Sequence, residues 1–170
     1  MRSTYHEDFV DLFHRHFDRL FRYIHRLCGE KELAADIAQD AFLRLYRRGS
    51  PPDSPEAWLI TVGTNLLRNA RSGASRRHRL LEWARTRDGL PEAWRAAPPD
   101  ADLEPGDRVR SALARMPERE RCLLLLRAEG YRYRDMAAVL GVHDASVGTL
   151  LARAKKMFRE FYEETIDAPR

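Results

Sequence analysis

Apolar positions in the first third of the chain recur at three- or four-residue steps, the spacing that places them on one face of an α-helix. The first apolar stripe follows Thr4 and Glu7, which have the spacing of a capping box, and it ends at Gly29. Its members are Phe9, Phe13, Phe17, Leu20, Ile24 and Leu27. A second stripe from about Lys31 to Arg47 predicts a second helix, with its inner face formed by Ala34, Ile37, Ala38, Ala41, Phe42 and Leu45.

Residues 49–55 contain three prolines and are predicted to form a loop, because proline removes amide donors and constrains its neighbours. A third helix is predicted after this loop. Asp53 or Ser54 is expected to cap this helix. The side chains predicted to face inward are Trp58, Leu59, Val62 and Leu66. An arginine-rich stretch occupies residues 71–87, where Glu82 is the single acid.

Four further helices are predicted in the last third of the chain. Their expected bounds are from near Val109 to Pro117, from about Glu118 to Gly130, from Tyr133 to Leu140, and from about Asp144 to Tyr162. Val109, Leu113 and Met116 are predicted to line one face of the first. The inner residues of the last, Val147, Leu151, Ala154 and Phe158, are expected to pack on Met136, Ala137 and Leu140. Because a short turn containing Gly141 joins the last two, they predict a helix-turn-helix.

Charge divides the chain into three blocks. Residues 1–87 carry a net charge of +5, residues 88–107 carry −5 and residues 108–170 carry +4. The middle block is also rich in proline, so we predict a flexible acidic linker between two basic modules. A basic module can bind nucleic acid, although charge alone does not prove it.

Cysteine usage and hydropathy indicate a reducing compartment. Cys28 and Cys122 lie far apart in apolar helical patterns, which argues against a disulfide framework. The chain contains no apolar run of membrane-spanning length and its start lacks a signal peptide, so we expect a cytoplasmic protein without membrane insertion. Since no metal-ligand spacing, phosphate loop or catalytic set stands out, we expect no metal, no cofactor and no enzymatic activity.

The last predicted helix has an outer face suited to a DNA major groove. That face carries Ser146, Thr149, Leu150, Arg153 and Lys156. Hydroxyl and guanidinium groups can read base edges there, while other basic groups hold phosphates. A surface helix whose charges are merely solvated would show the same pattern, so this helix alone does not establish DNA binding.

The order of several segments resembles the extracytoplasmic-function (ECF) sigma factors of the sigma-70 family. The segments are Asp36 to Phe42, Trp58-Leu59 with Asn65 and Asn69 downstream, the acidic linker, Leu113 to Arg121, and Tyr133 to Ala137. The resemblance covers roughly residues 9–160. It implies an all-α protein with a sigma region 2 bundle at 1–87, a linker at 88–107 and a sigma region 4 helix-turn-helix at 108–170.

The resemblance also implies a role for each module in transcription initiation. Region 2 would dock on the clamp of the largest subunit of core RNA polymerase, through Asp36, Gln39, Asp40, Phe42 and Arg44. It would also recognise and melt the minus-ten promoter element, through Asn65, Arg68, Asn69, Arg71, Arg76 and Arg77. Region 4 would recognise the minus-thirty-five element, through Arg121, Ser146, Thr149, Leu150, Arg153 and Lys156. The flap of the second polymerase subunit is a further partner that the resemblance implies.

Two further expectations follow from the resemblance. The linker is similar to the family's connector, which threads the product channel of the polymerase as a nucleic acid mimic, although a plain flexible spacer fits its composition as well. An anti-sigma factor is expected to hold the protein inactive. Family members often carry basic residues at the positions of Gly148 and Leu150, so we expect an upstream promoter element that differs from the family's commonest one.

The rival interpretations belong to other classes of protein. A conventional helix-turn-helix regulator would bind duplex DNA without polymerase, at half-sites about one helical turn apart. It would leave the Asp36 to Phe42 face without a purpose. A sigma-like decoy, in which both modules bind proteins, would support no transcription.

Overall fold

A computed structural model of the chain describes the backbone of residues 2–81 and 105–167 and the side chains of residues 5–72 and 106–166. The regular elements of the described residues are all helices, and the chain divides into two compact units. The first unit holds α1 (Arg2–Cys28), α2 (Lys31–Arg48) and α3 (Pro55–Leu81). The second unit holds α4 (Pro105–Arg115), α5 (Glu118–Ala128), α6 (Tyr133–Leu140) and α7 (Asp144–Asp167). Residues 88–104 of the predicted linker lie outside the described residues, so the linker and the domain bounds stay predictions.

The core of the first unit forms where all three helices meet. Its fully buried large side chains are Leu20, Tyr23, Ile24, Leu27, Phe42, Leu45, Leu59, Ile60 and Leu67. At one end, the ring of Phe42 packs edge-on against Phe13 at 5.1 Å between centroids, and tilted against Phe17 at 5.8 Å. This aromatic cluster joins α1 to α2, and such contacts add to the stabilisation from burial.

Polar contacts between helices fix how they pack. The hydroxyls of Tyr23 and Thr64 lie 3.3 Å apart in the interior between α1 and α3. Glu56, in the first turn of α3, pairs with Arg19 at 3.2 Å and lies 3.4 Å from the Nδ1 of His16, both on α1. Because buried polar groups are costly unless they are hydrogen-bonded, these pairs favour one arrangement of the bundle.

The start of α1 differs from the prediction. The helix begins at Arg2, so Thr4 lies inside it and does not cap it. The hydroxyl of Tyr5 donates to the Leu45 carbonyl at 2.5 Å, and its ring stacks on Tyr46. These contacts with α2 hold the first turns in helical form, a tertiary effect that a capping motif does not reveal. The predicted end at Gly29 is confirmed.

The inward face of α3 is rotated from the predicted one. Leu59 is buried as expected, but Trp58, Val62 and Leu66 are only half-buried. The buried positions of this helix are Ala57, Leu59, Ile60, Gly63, Thr64 and Leu67. Apolar residues surround much of the helix here, so periodicity could not decide which face packs against α1 and α2.

The second unit packs α4, α5 and α6 around α7. The helix-turn-helix is confirmed, with Val147, Leu151 and Ala154 buried on α7, and Met136 and Ala137 buried on α6. Gly141 has φ 65°, and the amide of the next residue, Val142, donates to the Ala137 carbonyl at 3.0 Å. No atom lies within 4 Å of where its Cβ would be, so backbone conformation favours glycine at this turn.

Two helices of this unit are longer than predicted. α4 begins at Pro105, a residue suited to a first helical position, and leaves Val109 38% exposed where an inner position was expected. α7 continues past Tyr162 to Asp167. The guanidinium of Arg115 on α4 lies 4.6 Å from the centroid of Phe161 and pairs with Glu164, which holds this extension of α7 against α4. Phe158 is half-buried on the same stretch.

Within the described ranges, each helix is too short or too polar to cross a membrane.

Candidate functional site

The outer side of α2 presents a polar stripe. Asp36 and Gln39 are exposed, and the side chains of Asp40 and Arg44 are 41% and 53% exposed. Asp40 and Arg44 form an ion pair at 3.3 Å, one helical turn apart. An exposed pair of this kind contributes little to stability, so a partner could separate it at small cost. Four of the five predicted polymerase-binding residues therefore share one accessible face.

Phe42, the fifth predicted residue, does not lie on that face. It is 2% exposed and packs among the aromatic side chains of α1. Its large apolar surface is better stabilised between the helices than in water. We therefore correct the prediction: Phe42 supports α2 from behind and does not itself offer a contact.

Two apolar side chains beside the stripe escaped the sequence prediction. Leu43 is 44% exposed and Tyr46 is 47% exposed. The ring of Tyr46 packs edge-on against Phe9 at 5.0 Å, which orients it at the border of α1 and α2. Both positions fall outside the apolar stripe of α2, so the helical spacing in the sequence could have identified them as exposed.

The predicted DNA-melting helix, α3, exposes three of the expected residues on one side. Asn65, Arg68 and Asn69 are exposed, at the spacing that places them on neighbouring turns. Arg68 donates to the side-chain oxygen of Asn65 at 3.3 Å. The two amides and the guanidinium form one polar surface.

Arg71 is half-buried and reaches toward the end of α1. Its guanidinium donates to the carbonyl oxygen of Leu27, in the last turn of α1, at 2.9 Å. A cation is stabilised at a helix C-terminus, where carbonyl groups lack helical partners. Arg71 thus connects α3 to the end of α1. Arg76 and Arg77 lie on α3, but their side chains are outside the described ones.

The outer face of α7 is accessible to solvent. Ser146, Thr149, Arg153 and Lys156 are exposed, and Leu150 is half-exposed beside them. Lys156 pairs with Glu160 one turn further along, at 3.9 Å. At the start of the helix, the Nδ1 of His143 accepts a hydrogen bond from the Ala145 amide at 3.3 Å. The face is thus polar and accessible over its first four turns.

Arg121, which was predicted to contact the minus-thirty-five element, does not lie on the outer face of α7. It lies on α5 and is 4% exposed, inside the second unit. A long side chain can bury its stem and its charge when neighbouring groups satisfy the guanidinium, and a sequence pattern does not reveal this. We correct this prediction as well.

Metal-binding groups of three or more His, Cys, Asp or Glu do not occur in the part of the chain that the structure describes.

Family comparison assigns both units. Residues 12–77 match the model of Sigma-70 region 2, and residues 106–158 match that of Sigma-70, region 4. The first match contains the exposed faces of α2 and α3, and the second contains the helix-turn-helix.

Curated relatives carry the same assignment. The chain is 30% identical over 135 residues to the ECF RNA polymerase sigma factor EcfG of Rhodopseudomonas palustris, covering 76% of this chain and 70% of the relative. It is 28% identical to SigE of Mycolicibacterium smegmatis, over 89% of this chain and 60% of that protein. It is 26% identical to CarQ of Myxococcus xanthus, over 96% of this chain and 94% of that protein.

Solved structures support the fold. The sigma factor RpoE of Bartonella quintana, in complex with the anti-sigma factor NepR, is similar with a TM-score of 0.69 and 18% identity, over 92% of this chain and 98% of that one. CnrH, in complex with the cytosolic domain of CnrY, is similar with a TM-score of 0.64 and 21% identity, over 95% of this chain and 92% of that one. With both sigma regions matched in order on two helical units, the chain belongs to the ECF sigma factors of the sigma-70 family, which give RNA polymerase its promoter specificity.

Proposed function

We propose that this chain initiates transcription with a division of labour between its units. The first unit binds core RNA polymerase through the outer face of α2 and opens promoter DNA with α3. The second unit binds the upstream promoter element with α7. The observation that carries the proposal is the match of regions 2 and 4 to two separate units, each with accessible polar helix faces.

Polymerase binding is proposed for the stripe of Asp36, Gln39, Asp40 and Arg44 on α2. An acidic and amide-bearing face complements a basic partner surface, and such complementarity steers association and fixes register. The exposed Leu43 and Tyr46 beside the stripe supply apolar area, the kind of contact that contributes most of the binding energy at interfaces. The proposed partner is the clamp of the largest polymerase subunit, with the flap of the second subunit for the second unit.

Promoter melting is proposed for Asn65, Arg68 and Asn69 on α3. Amide side chains can pair with the edge of a base that has left the stack, and nearby guanidinium groups can hold the backbone. Arg76 and Arg77, further along α3, are proposed to contribute charge to the same task. For Arg71 we propose a supporting role, because its guanidinium already binds the end of α1.

Upstream recognition is proposed for the first four turns of α7. Ser146 and Thr149 offer hydroxyls to base edges, and Leu150 offers an apolar contact of the kind that suits a thymine methyl group. Arg153 and Lys156 hold phosphates. Because the base-reading set contains no charge before Arg153, we propose an element other than the family's commonest one.

A second protein is proposed to regulate the first unit. The similar proteins RpoE and CnrH were solved in complexes, with the anti-sigma factor NepR and with the cytosolic domain of CnrY. An anti-sigma factor that covers the face of α2 would prevent polymerase binding.

The family is not known for enzymatic activity, and we propose that this chain acts in the cytoplasm by binding alone, without a cofactor.

Run-off transcription from a genomic promoter library tests the proposal. Core polymerase is used with and without the protein, and the starts are mapped by sequencing. We expect starts that need the protein and share a two-part upstream motif. Asp36→Arg should abolish them, whereas Asp18→Arg, at an exposed acid on α1, should not. No new starts, together with binding to duplex half-sites without polymerase, would replace the proposal with a conventional regulator.

A further inference from the structure

The first turns of α7 contain no cation that could read a guanine. From Asp144 to Ala152 the helix has neither lysine nor arginine. Cationic side chains on guanine make the commonest specific contact with a base, and in a helix-turn-helix the N-terminal residues of the second helix contact base edges. A neutral hydrogen-bond donor at the start of α7 would therefore contribute strongly to base recognition by this helix.

His143 lies at this start, directly before the first turn of α7. Its carbonyl oxygen accepts a hydrogen bond from the Ser146 amide at 2.9 Å, and its Nδ1 accepts one from the Ala145 amide at 3.3 Å. These are the bonds of an N-terminal cap, which satisfies an amide that lacks a helical partner. A cap needs one acceptor atom, and serine, threonine, aspartate or asparagine commonly supplies it. Capping therefore uses only one of the two ring nitrogens of His143.

The cap fixes the tautomer of the His143 ring. Because Nδ1 accepts a hydrogen bond from a backbone amide, the proton of the neutral ring lies on Nε2. His143 is exposed, and so are the three residues that follow it, Asp144, Ala145 and Ser146. Spacings of three and seven residues place His143 on the same side of the helix as Ser146 and Leu150. An oriented N–H donor thus lies at the edge of the face proposed to read bases.

We propose that His143 is a specificity-determining residue whose Nε2–H donates to the N7 atom of a purine at one end of the upstream promoter element. The proposal rests on the proposed function and extends it to a residue outside the predicted base-reading set. Purine N7 is an acceptor that guanine and adenine both present in the major groove, whereas cytosine presents a competing donor. A purine should therefore be preferred, and cytosine least tolerated, at the contacted position.

Removing single purine N7 atoms from the promoter tests the contact. The full chain is assembled with core polymerase on a promoter found by the run-off selection, and purines of the upstream element on both strands are replaced one at a time by their 7-deaza analogues. With the wild-type protein, one replacement at one end of the element should weaken binding about fivefold, the effect of losing one hydrogen bond. His143→Ser keeps a capping hydroxyl and removes the ring. This variant should bind the unmodified promoter about fivefold more weakly and should not respond to that replacement.

A matched control makes the same substitution at another exposed histidine. His14 lies on α1 in the first unit, and His14→Ser should keep both the wild-type affinity and the fivefold response to the analogue. His143→Thr also keeps a capping hydroxyl, so it should behave as His143→Ser does and exclude an effect peculiar to serine.

Three outcomes separate the possibilities. If every 7-deaza replacement affects the wild type and His143→Ser equally, the base contact is overturned and the proposed function stands. If His143→Ser loses the same affinity on every upstream sequence, the ring binds the phosphate backbone and the base contact is again overturned. Failure of the wild-type protein to direct any initiation would overturn the proposed function itself.

Discussion

Gly63 on α3 lies so close to Ile24 on α1 that a Cβ atom at position 63 would stand 3.2 Å from Ile24 Cδ1. It would also stand 3.3 Å from Cδ1 of Leu20. Both neighbours are buried to 1% exposure or less, so any shift of either side chain must be accommodated by the core around it. The absence of a side chain at Gly63 therefore sets how closely α1 and α3 approach. α3 carries the proposed melting residues, and their position depends on this contact.

Gly63→Ala should destabilise the first unit despite the better helix propensity of alanine. Overpacking a core costs about 1–3 kcal/mol, and the propensity gain offsets about 1 kcal/mol of it. We expect a net loss of about 1 kcal/mol in the free energy of unfolding, measured by urea denaturation of the full chain. Hydrogen exchange should place the loss in α1 and α3. Unchanged or increased stability would show that α1 and α3 can move apart enough to accept the methyl group at little cost.

Gly148→Ala should instead increase the free energy of unfolding. Tyr133 at 3.9 Å is an ordinary van der Waals neighbour, so alanine fits without displacing anything. Glycine within a helix costs about 0.8–1.0 kcal/mol relative to alanine, and we expect the variant to gain close to that amount in the same urea experiment. A loss of stability would mean that position 148 is more crowded than its surroundings indicate.

Arg71→Ala should act on stability first and on promoter melting only as a consequence. A hydrogen bond from a charged group contributes about 1.5–3 kcal/mol, and this one joins α3 to the end of α1. Asn69→Ala is the matched comparison, because Asn69 is exposed and its loss should change stability by less than about 0.5 kcal/mol. Permanganate reactivity of the minus-ten thymines should fall in the Asn69 variant at full stability. Equal stability of the two variants would return Arg71 to the DNA-contacting set.

The helix boundaries inside the second unit were predictable from the sequence because backbone signals mark them, whereas the start of α4 and the end of α7 were not. Pro117 interrupts the chain before α5, and Gly130 and Gly141 occupy left-handed conformations after α5 and α6. These residues act through local sterics, so their meaning does not depend on the rest of the fold.

The direction in which individual side chains point was less predictable from the sequence. Arg71 and Arg121 were expected on DNA-binding surfaces, yet the first binds the end of α1 and the second is buried. Arginine has a long apolar stem and a charged end, so either location is physically reasonable until its neighbours are known. The periodicity of α2 placed Phe42 correctly on the inner face, and only the polymerase contact implied by the resemblance conflicts with its burial.

The two thiols should be unreactive in the folded protein. Cys28 is fully buried and Cys122 is 5% exposed. Burial raises the pKa of the Cys28 thiol, which lowers the fraction of reactive thiolate near neutral pH. A maleimide reagent should therefore label neither residue in the native chain and both in urea. Labelling of the native chain as fast as of the unfolded chain would contradict the buried positions.

Cleavage of promoter DNA from reagents tethered at single positions tests the division of labour most directly. Because the native thiols are buried, Asn69→Cys on α3 and Thr149→Cys on α7 should each accept an iron chelate selectively. In complexes with core polymerase, we predict hydroxyl-radical cleavage around the minus-ten element from position 69 and around the minus-thirty-five element from position 149. Without polymerase, the cleavage from position 69 should disappear. Cleavage from both positions at one element, or an identical pattern without polymerase, would contradict the assignment of melting to the first unit and upstream recognition to the second.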